Sequence, residues 1–297
     1  MDNRFRGLGV ALVTPFRPNG GIDYAGLEKL IEHQIAGGVD YVVSMGTTGE
    51  SVTLTKDEKH ELLAQTIAFV RNRVPVVLGV GGNNTAEVID TLNSFAMDGV
   101  DAILSVSPYY NKPTQEGIYQ HYKAIAQVAL RPIILYNVPG RTGSNIAAET
   151  TLRLARDFEN IIAIKEASGN LDQMGAILKH KPADFMLISG DDTLTLPAIA
   201  IGGVGVISVV GNALPMETST LVNAALKGDL ATARKEHLRL LEIINLLFVE
   251  GNPGGIKYVL KVLGICGDHM RLPLVNISEA TEKKLYHALA DAEVVKL

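Results

Sequence analysis

Eight short apolar runs recur along this chain of 297 residues at intervals of roughly twenty to thirty-five residues, and no other feature constrains the fold as much. They cover residues 9–13, 41–44, 74–80, 102–106, 133–136, 161–165, 186–189 and 204–209. Each is apolar almost throughout, which fits a strand covered on both faces, as in a parallel sheet. Helical patterns lie between them. Leu27, Leu30, Ile31 and Ile35 form one stripe, closed by Gly37 and Gly38. Thr55, Lys56, Asp57 and Glu58 read as a capping box opening a helix through Arg71. Thr85 opens another, with Val88, Leu92 and either Phe95 or Ala96 facing inward, and Thr114 opens a fourth, with Ile118, Tyr122 and Ile125. Eight strands, each followed by a helix, predict an α/β fold, a closed (β/α)8 TIM barrel. An open doubly wound sheet is the alternative. Residues 79–84 faintly suggest a dinucleotide loop but lack its third glycine and a following acid, so an ordinary strand-to-helix turn is expected. Beyond Gly228 the patterns at 230–250, 255–263 and 278–289 are helical with no strand between them. The expected division is a barrel over 1–227 and a C-terminal helical domain over 228–297.

Composition narrows the functional classes. Apolar residues make up 47% of the chain, enough for a large core. The net charge is -5 with the signs interleaved, and without a basic stripe nucleic acid is not expected as a partner. Cys266 stands alone, which excludes an intrachain disulfide and fits a reducing compartment. Residues 1–6 carry charges with no apolar segment after them, so no signal peptide is expected there. No charged residue lies between Asp192 and Glu217, but prolines, glycines, Ser208 and Asn212 interrupt that stretch, which argues against a membrane span. The expectation is a soluble cytoplasmic protein.

In a barrel of this kind the chemistry sits at the C-terminal ends of the strands. The sixth run ends in Lys165. Side chains alternate across a strand, so Ile162 and Ile164 are expected on one face, and Ile161, Ala163 and Lys165 on the other. A strand-end lysine is usually just the first wet residue. A desolvated one can lose its proton and attack a carbonyl carbon. The other strand ends add Gly46-Thr47-Thr48-Gly49-Glu50-Ser51, then Tyr109 and Tyr110, then Tyr136 and Arg141, then Asp191 and Asp192. Glycines beside two hydroxyls let backbone N–H groups converge on an anion. The seven histidines show no pair at ligand spacing, so no metal is expected. Asp191-Asp192 reads as a helix cap, and two carboxylates at that point argue against a phosphorylated substrate. What carries weight is the coincidence of an amine, phenols, hydroxyls and a guanidinium at the strand ends of one barrel.

GTTGES, SPYYNKP, YNVPGRTG, IKEASGN, SGDD and GVISV stand in an order and spacing that resembles the dihydrodipicolinate synthase family of pyruvate-dependent class I lyases, from about Gly7 to the C-terminus. The resemblance implies a barrel with a helical C-terminal domain and condensation of pyruvate with aspartate 4-semialdehyde in lysine and diaminopimelate biosynthesis. It implies that Lys165 forms a Schiff base with pyruvate and that Tyr136 gives and takes protons beside it. Thr47 would link Tyr136 to a Tyr110 contributed by a neighbouring subunit. Thr48 would hold the pyruvate carboxylate, with backbone contacts from Ile207, and Arg141 would bind the carboxylate of the aldehyde. No metal or organic cofactor is implied, and a homotetramer is. Imine formation needs a neutral amine, dehydration an acid, and enamine formation a base. A phenol ionises near pH 10, so a relay of hydroxyls must share the proton. N-acetylneuraminate lyases and other keto-acid aldolases share the lysine and tyrosine, and Arg141 in residues 138–143 favours the synthase over them. A non-catalytic barrel that binds keto acids is the alternative outside the class. Ser51, Asn83, Glu87 and Tyr109 match a lysine-binding inhibitory site of the family, with Asn83 and Glu87 one helical turn apart. Lys56 and Lys59 stand where lysine-sensitive bacterial relatives often carry histidines, which predicts weak inhibition or none.

Overall fold

The computed structural model describes residues 4–296. Residues 1–3 of the N-terminal stretch considered above, and Leu297, lie outside the described residues. The strands are β1 Gly7–Ala11, β2 Tyr41–Ser44, β3 Val76–Gly79, β4 Ala102–Val106, β5 Ile133–Asn137, β6 Ile161–Glu166, β7 Met186–Ser189 and β8 Gly205–Ser208. They pair in parallel in chain order, and β8 closes on β1. The closed barrel is therefore the architecture, and the open sheet is not.

Two apolar clusters follow from strand alternation. The lumen is filled by Tyr41, Val43, Val77, Leu104, Ile134, Ala163, Ile188 and Ile207, with Phe5 edge-on to Tyr41 at 5.6 Å between ring centroids. The outward residues, among them Val42, Leu78, Ile103, Leu135 and Ile164, join the core beneath the helices. The capping box forms at Thr55 and opens the helix Lys56–Val70, with Arg71 in the left-handed conformation as its C-cap. Asn84 caps Thr85–Ser94, and of Phe95 and Ala96 it is Phe95 that is buried.

Two expectations need correction. The first run is expected as a strand at 9–13, but β1 spans Gly7–Ala11. Val13 leaves the ladder because its N–H donates to Asn212 Oδ1 (3.0 Å). Within β6, Ile162 does not share a face with Ile164. Pairing runs Ile133 to Ile161 and then Ile134 to Ala163, so Ile162 is the extra residue of a bulge. It packs with the lumen cluster, and Ile161 joins the outer one. Alternation resumes at Ala163, and Lys165 faces inward as expected.

After Gly228 the helices Leu230–Phe248, Gly254–Val262 and Glu279–Asp291 follow, the last capped by Ser278. The first of these packs on Pro215–Leu226, the helix that follows β8.

Candidate active site

β5 and β6 end side by side, with Tyr136 paired to Lys165 and Asn137 to Glu166. The first pair faces the lumen. Lys165 is only 5% exposed although it ends a strand, so it is not the wet residue that its position alone suggests. Its Nζ lies 4.2 Å from the centroid of the Tyr136 ring. Among the described residues it has no hydrogen-bond or ion-pair partner. Its stem passes over Gly190, where a Cβ would stand 2.9 Å from Lys165 Cε and 3.0 Å from Cγ. Glycine at that position makes room for the lysine.

The second pair faces outward and forms a polar network that the sequence reading did not single out. Glu166 is fully buried and, among the described residues, has no ion-pair partner. Its carboxylate accepts from Ser168 N (2.7 Å), Gln173 Nε2 (2.8 Å) and both ways from Asn137 Nδ2 (2.9 and 3.1 Å). Asn137 also receives Ile146 N (2.9 Å) and donates to Asn145 Oδ1 (2.7 Å). One cluster thus ties β5, β6 and the 138–147 loop together directly behind Tyr136 and Lys165. The available signal was alternation itself: a carboxylate one residue past an inward lysine must point outward under the helices, where it has to find donors.

The turn after β2 lies across the barrel mouth. Thr47 is exposed and lines the cavity there, whereas Thr48 is buried. Met45 and Glu50, at either end of the turn, both have left-handed backbones, with φ of 58° and 51°. Thr48 Oγ1 accepts from Asn252 Nδ2 (3.0 Å), and Thr14 Oγ1 donates to the Gly49 carbonyl (2.6 Å). Glu50 and Lys257 form an ion pair with both side chains at 0% exposure. Burial pulls the Lys257 ammonium below its ordinary value, and the charge of Glu50 opposes that. These C-terminal partners were not anticipated from the sequence.

A cavity of about 520 Å³ opens beside these residues. Thr47, Tyr136 and Arg141 line it, together with Tyr109, Ser51 and Lys59. Arg141 is exposed and, among the described residues, its side chain has no partner. Ile207 is part of the lumen wall, paired with Gly9 on β1. Tyr110 is 87% exposed, with φ of 73°, and is not drawn into the cavity of its own chain. Among the described residues no hydrogen bond joins Thr47, Tyr136 and Tyr110.

A smaller hollow of about 300 Å³ adjoins the first and shares Lys59, Thr91 and Phe95 with it. Glu87 lines it with Lys56, His60 and Asp90. The four residues matched to an inhibitory site are therefore divided: Ser51 and Tyr109 line the larger cavity and Glu87 the smaller. Asn83 precedes the helix cap and lies outside the helix, so it is not one turn before Glu87 on a shared face. Its carbonyl accepts from Asn111 Nδ2 (3.0 Å).

The model of the dihydrodipicolinate synthetase family matches residues 4–292. A 4-hydroxy-tetrahydrodipicolinate synthase of Parabacteroides distasonis is 52% identical over 293 residues, covering 99% of both chains. The crystal structure of the dihydrodipicolinate synthase of Aquifex aeolicus is 42% identical, with a TM-score of 0.95 and coverage of 99% of this chain and 100% of the other. A structure of the Cyanidioschyzon merolae enzyme with lysine bound is 41% identical, with a TM-score of 0.94 and coverage of 98% and 99%.

Proposed function

The chain belongs to the dihydrodipicolinate synthetase family, and we propose from that premise that it condenses pyruvate with aspartate 4-semialdehyde, the 4-hydroxy-tetrahydrodipicolinate synthase reaction. The observation that carries this is the buried Lys165 amine over the Tyr136 ring at the mouth of a closed barrel. The amine attacks the keto carbon of pyruvate. The carbinolamine takes a proton on its hydroxyl, loses water and becomes the imine. Loss of a methyl proton then gives an enamine, whose carbon attacks the aldehyde.

Tyr136 is the proton carrier in this reading, since its ring lies against the amine. Thr47 lines the same cavity and extends the relay toward Tyr110. The exposure of Tyr110 supports a role in a partner's site, and a homotetramer is the assembly we propose. Thr48 and the backbone at Ile207 receive the carboxylate of pyruvate. Arg141, at the cavity wall, receives that of the aldehyde. We also assign the barrel to residues 1–227, the helical domain to 228–297, and the enzyme to the cytoplasm. Among the described residues no helix is long and apolar enough to cross a membrane.

The test combines turnover on the two substrates with borohydride reduction in the presence of pyruvate, followed by mass spectrometry. The expected adduct is on Lys165. An adduct on Lys112 or another lysine, or absence of turnover, refutes the assignment.

A further inference from the structure

The turn that receives the keto-acid carboxylate in the reading above is held from the far end of the chain. Lys257 sits in the helix Gly254–Val262. Its ammonium bonds to Glu50 Oε1 and to the His269 carbonyl (2.8 Å) and lies over the Phe16 ring, 4.3 Å from its centroid. The other carboxylate oxygen of Glu50 accepts from Arg271 N (3.2 Å). Arg271 in turn reaches Glu58 in the first turn of the helix Lys56–Val70, at 2.5 and 2.8 Å. From the same C-terminal region Asn252 Nδ2 donates to Thr48 Oγ1.

Two physical points argue that this arrangement acts on the site. A buried ion pair adds little net stability over a well-packed apolar pair, because desolvation consumes most of the attraction. A buried pair does, however, accept only one geometry, and this one grips a residue whose left-handed backbone is unfavourable for a side chain of its type. The Asn252 contact also engages the Thr48 oxygen as an acceptor. The Thr48 hydroxyl keeps its own proton to donate, which is the role that a carboxylate ligand needs.

We propose that Lys257 is a positioning residue for pyruvate: its pair with Glu50, together with the Asn252–Thr48 bond, holds the 46–50 turn in the shape that binds the carboxylate. The inference rests on the functional reading above. It places a determinant of first-substrate affinity in the helical segment, outside the barrel strands.

The experiment measures the pyruvate concentration giving half-maximal borohydride trapping, the KM for each substrate, and Tm. Lys257→Met keeps a long unbranched stem and removes the charge. It is expected to raise the pyruvate half-saturation about tenfold and to change the aldehyde KM by less than about twofold. Asn252→Ala, which leaves the ion pair in place, shifts pyruvate in the same direction. The double variant Glu50→Gln with Lys257→Met removes the stranded carboxylate, so Tm recovers while the pyruvate shift stays. Lys261→Met, on the same helix as Lys257, breaks a 2.8 Å ion pair to Asp268 beyond the helix end and leaves the pyruvate constant unchanged. A pyruvate constant that is unaltered in the folded single variants, or that returns to normal with Tm in the double variant, overturns positioning and leaves a stability role. Failure of the unaltered chain to take label at any pyruvate concentration instead removes the functional reading, and this inference with it.

Discussion

Glu166→Gln probes the network behind Lys165 and Tyr136, because two opposing effects can be weighed there. The change removes a buried charge that has no ion-pair partner among the described residues, and a buried ion carries a desolvation penalty of several kcal/mol. It also weakens four contacts from three donor groups, and bonds to a charged acceptor contribute about 1.5–3 kcal/mol each. Glutamine must turn its own N–H₂ toward one set of donors. On the Oε1 side it would strand Ser168 N, a backbone donor with no other acceptor among the described residues. On the Oε2 side the displaced donors have an alternative, since Asn137 Nδ2 and Gln173 Nε2 both reach Asn145 Oδ1, at 2.7 and 3.2 Å. The amide therefore keeps its oxygen toward Ser168, and the loss falls between β5 and Gln173. With two charge-assisted bonds replaced by a donor-to-donor contact and the desolvation penalty relieved, the net effect is about 1–3 kcal/mol of destabilisation. Because Asn137 and Glu166 are the pair next to Tyr136 and Lys165, kcat falls on the order of tenfold through misalignment. Urea unfolding of wild type and variant reads the first quantity as a shift in midpoint at constant slope, and steady-state turnover reads the second. A variant as stable as wild type or more stable, with kcat intact, would mean that desolvation outweighs the bonds and that the network does not hold the pair.

Arg141→Ala leaves pyruvate labelling intact and raises the aldehyde KM, by the roughly 1.5–3 kcal/mol of a lost charge-assisted contact; loss of labelling in a folded variant would show that Arg141 serves pyruvate instead. His121 is 4% exposed and bonded to Thr85 Oγ1 (2.9 Å), and burial pushes its imidazolium down to about 4. Its unfolded counterpart protonates near 6.5, so stability is lost as pH falls from about 6.5 to about 4, by about 3 kcal/mol, and this residue adds no further loss below that. His121→Gln should flatten that part of the stability profile, and an unchanged slope would assign the acid sensitivity to other groups. Lysine inhibits weakly or not at all, because Lys56 and Lys59 bring two cations to the hollow that Glu87 and Asp90 share, and like charges at about 4 Å repel by roughly 1 kcal/mol in water and 4 kcal/mol at an effective dielectric of 20. Half-inhibition of initial rates below about a millimolar would show that those acids, or movement of the lysines, offset the repulsion.

Much of this was legible in the residue order, because it depends on neighbours in sequence. Whether a strand is wet on one face is written in its period, so uniformly apolar runs from 41–44 to 204–209 carried the parallel barrel. The Thr55 capping box closes within one turn and formed as read. Alternation pointed Lys165 inward from its strand, and the strand ends gathered Thr47, Tyr136 and Arg141 on one cavity. Alternation failed at Ile161 and Ile162, where a bulge depends on the partner strand β5, which the order of residues in β6 does not contain. The burial of Lys165 was likewise a tertiary outcome, since it requires the Tyr136 ring beside it and a glycine at 190 beneath it. Glu50 and Lys257 stand 207 residues apart, and nothing local marks either as buried. A charged side chain is read as solvated unless its partner is known, and which charges meet is decided by where the closed chain brings them. The periodicity of apolar residues determined the barrel and the inward face of Lys165, while the pairing of buried polar groups around the site was decided only when distant segments packed together.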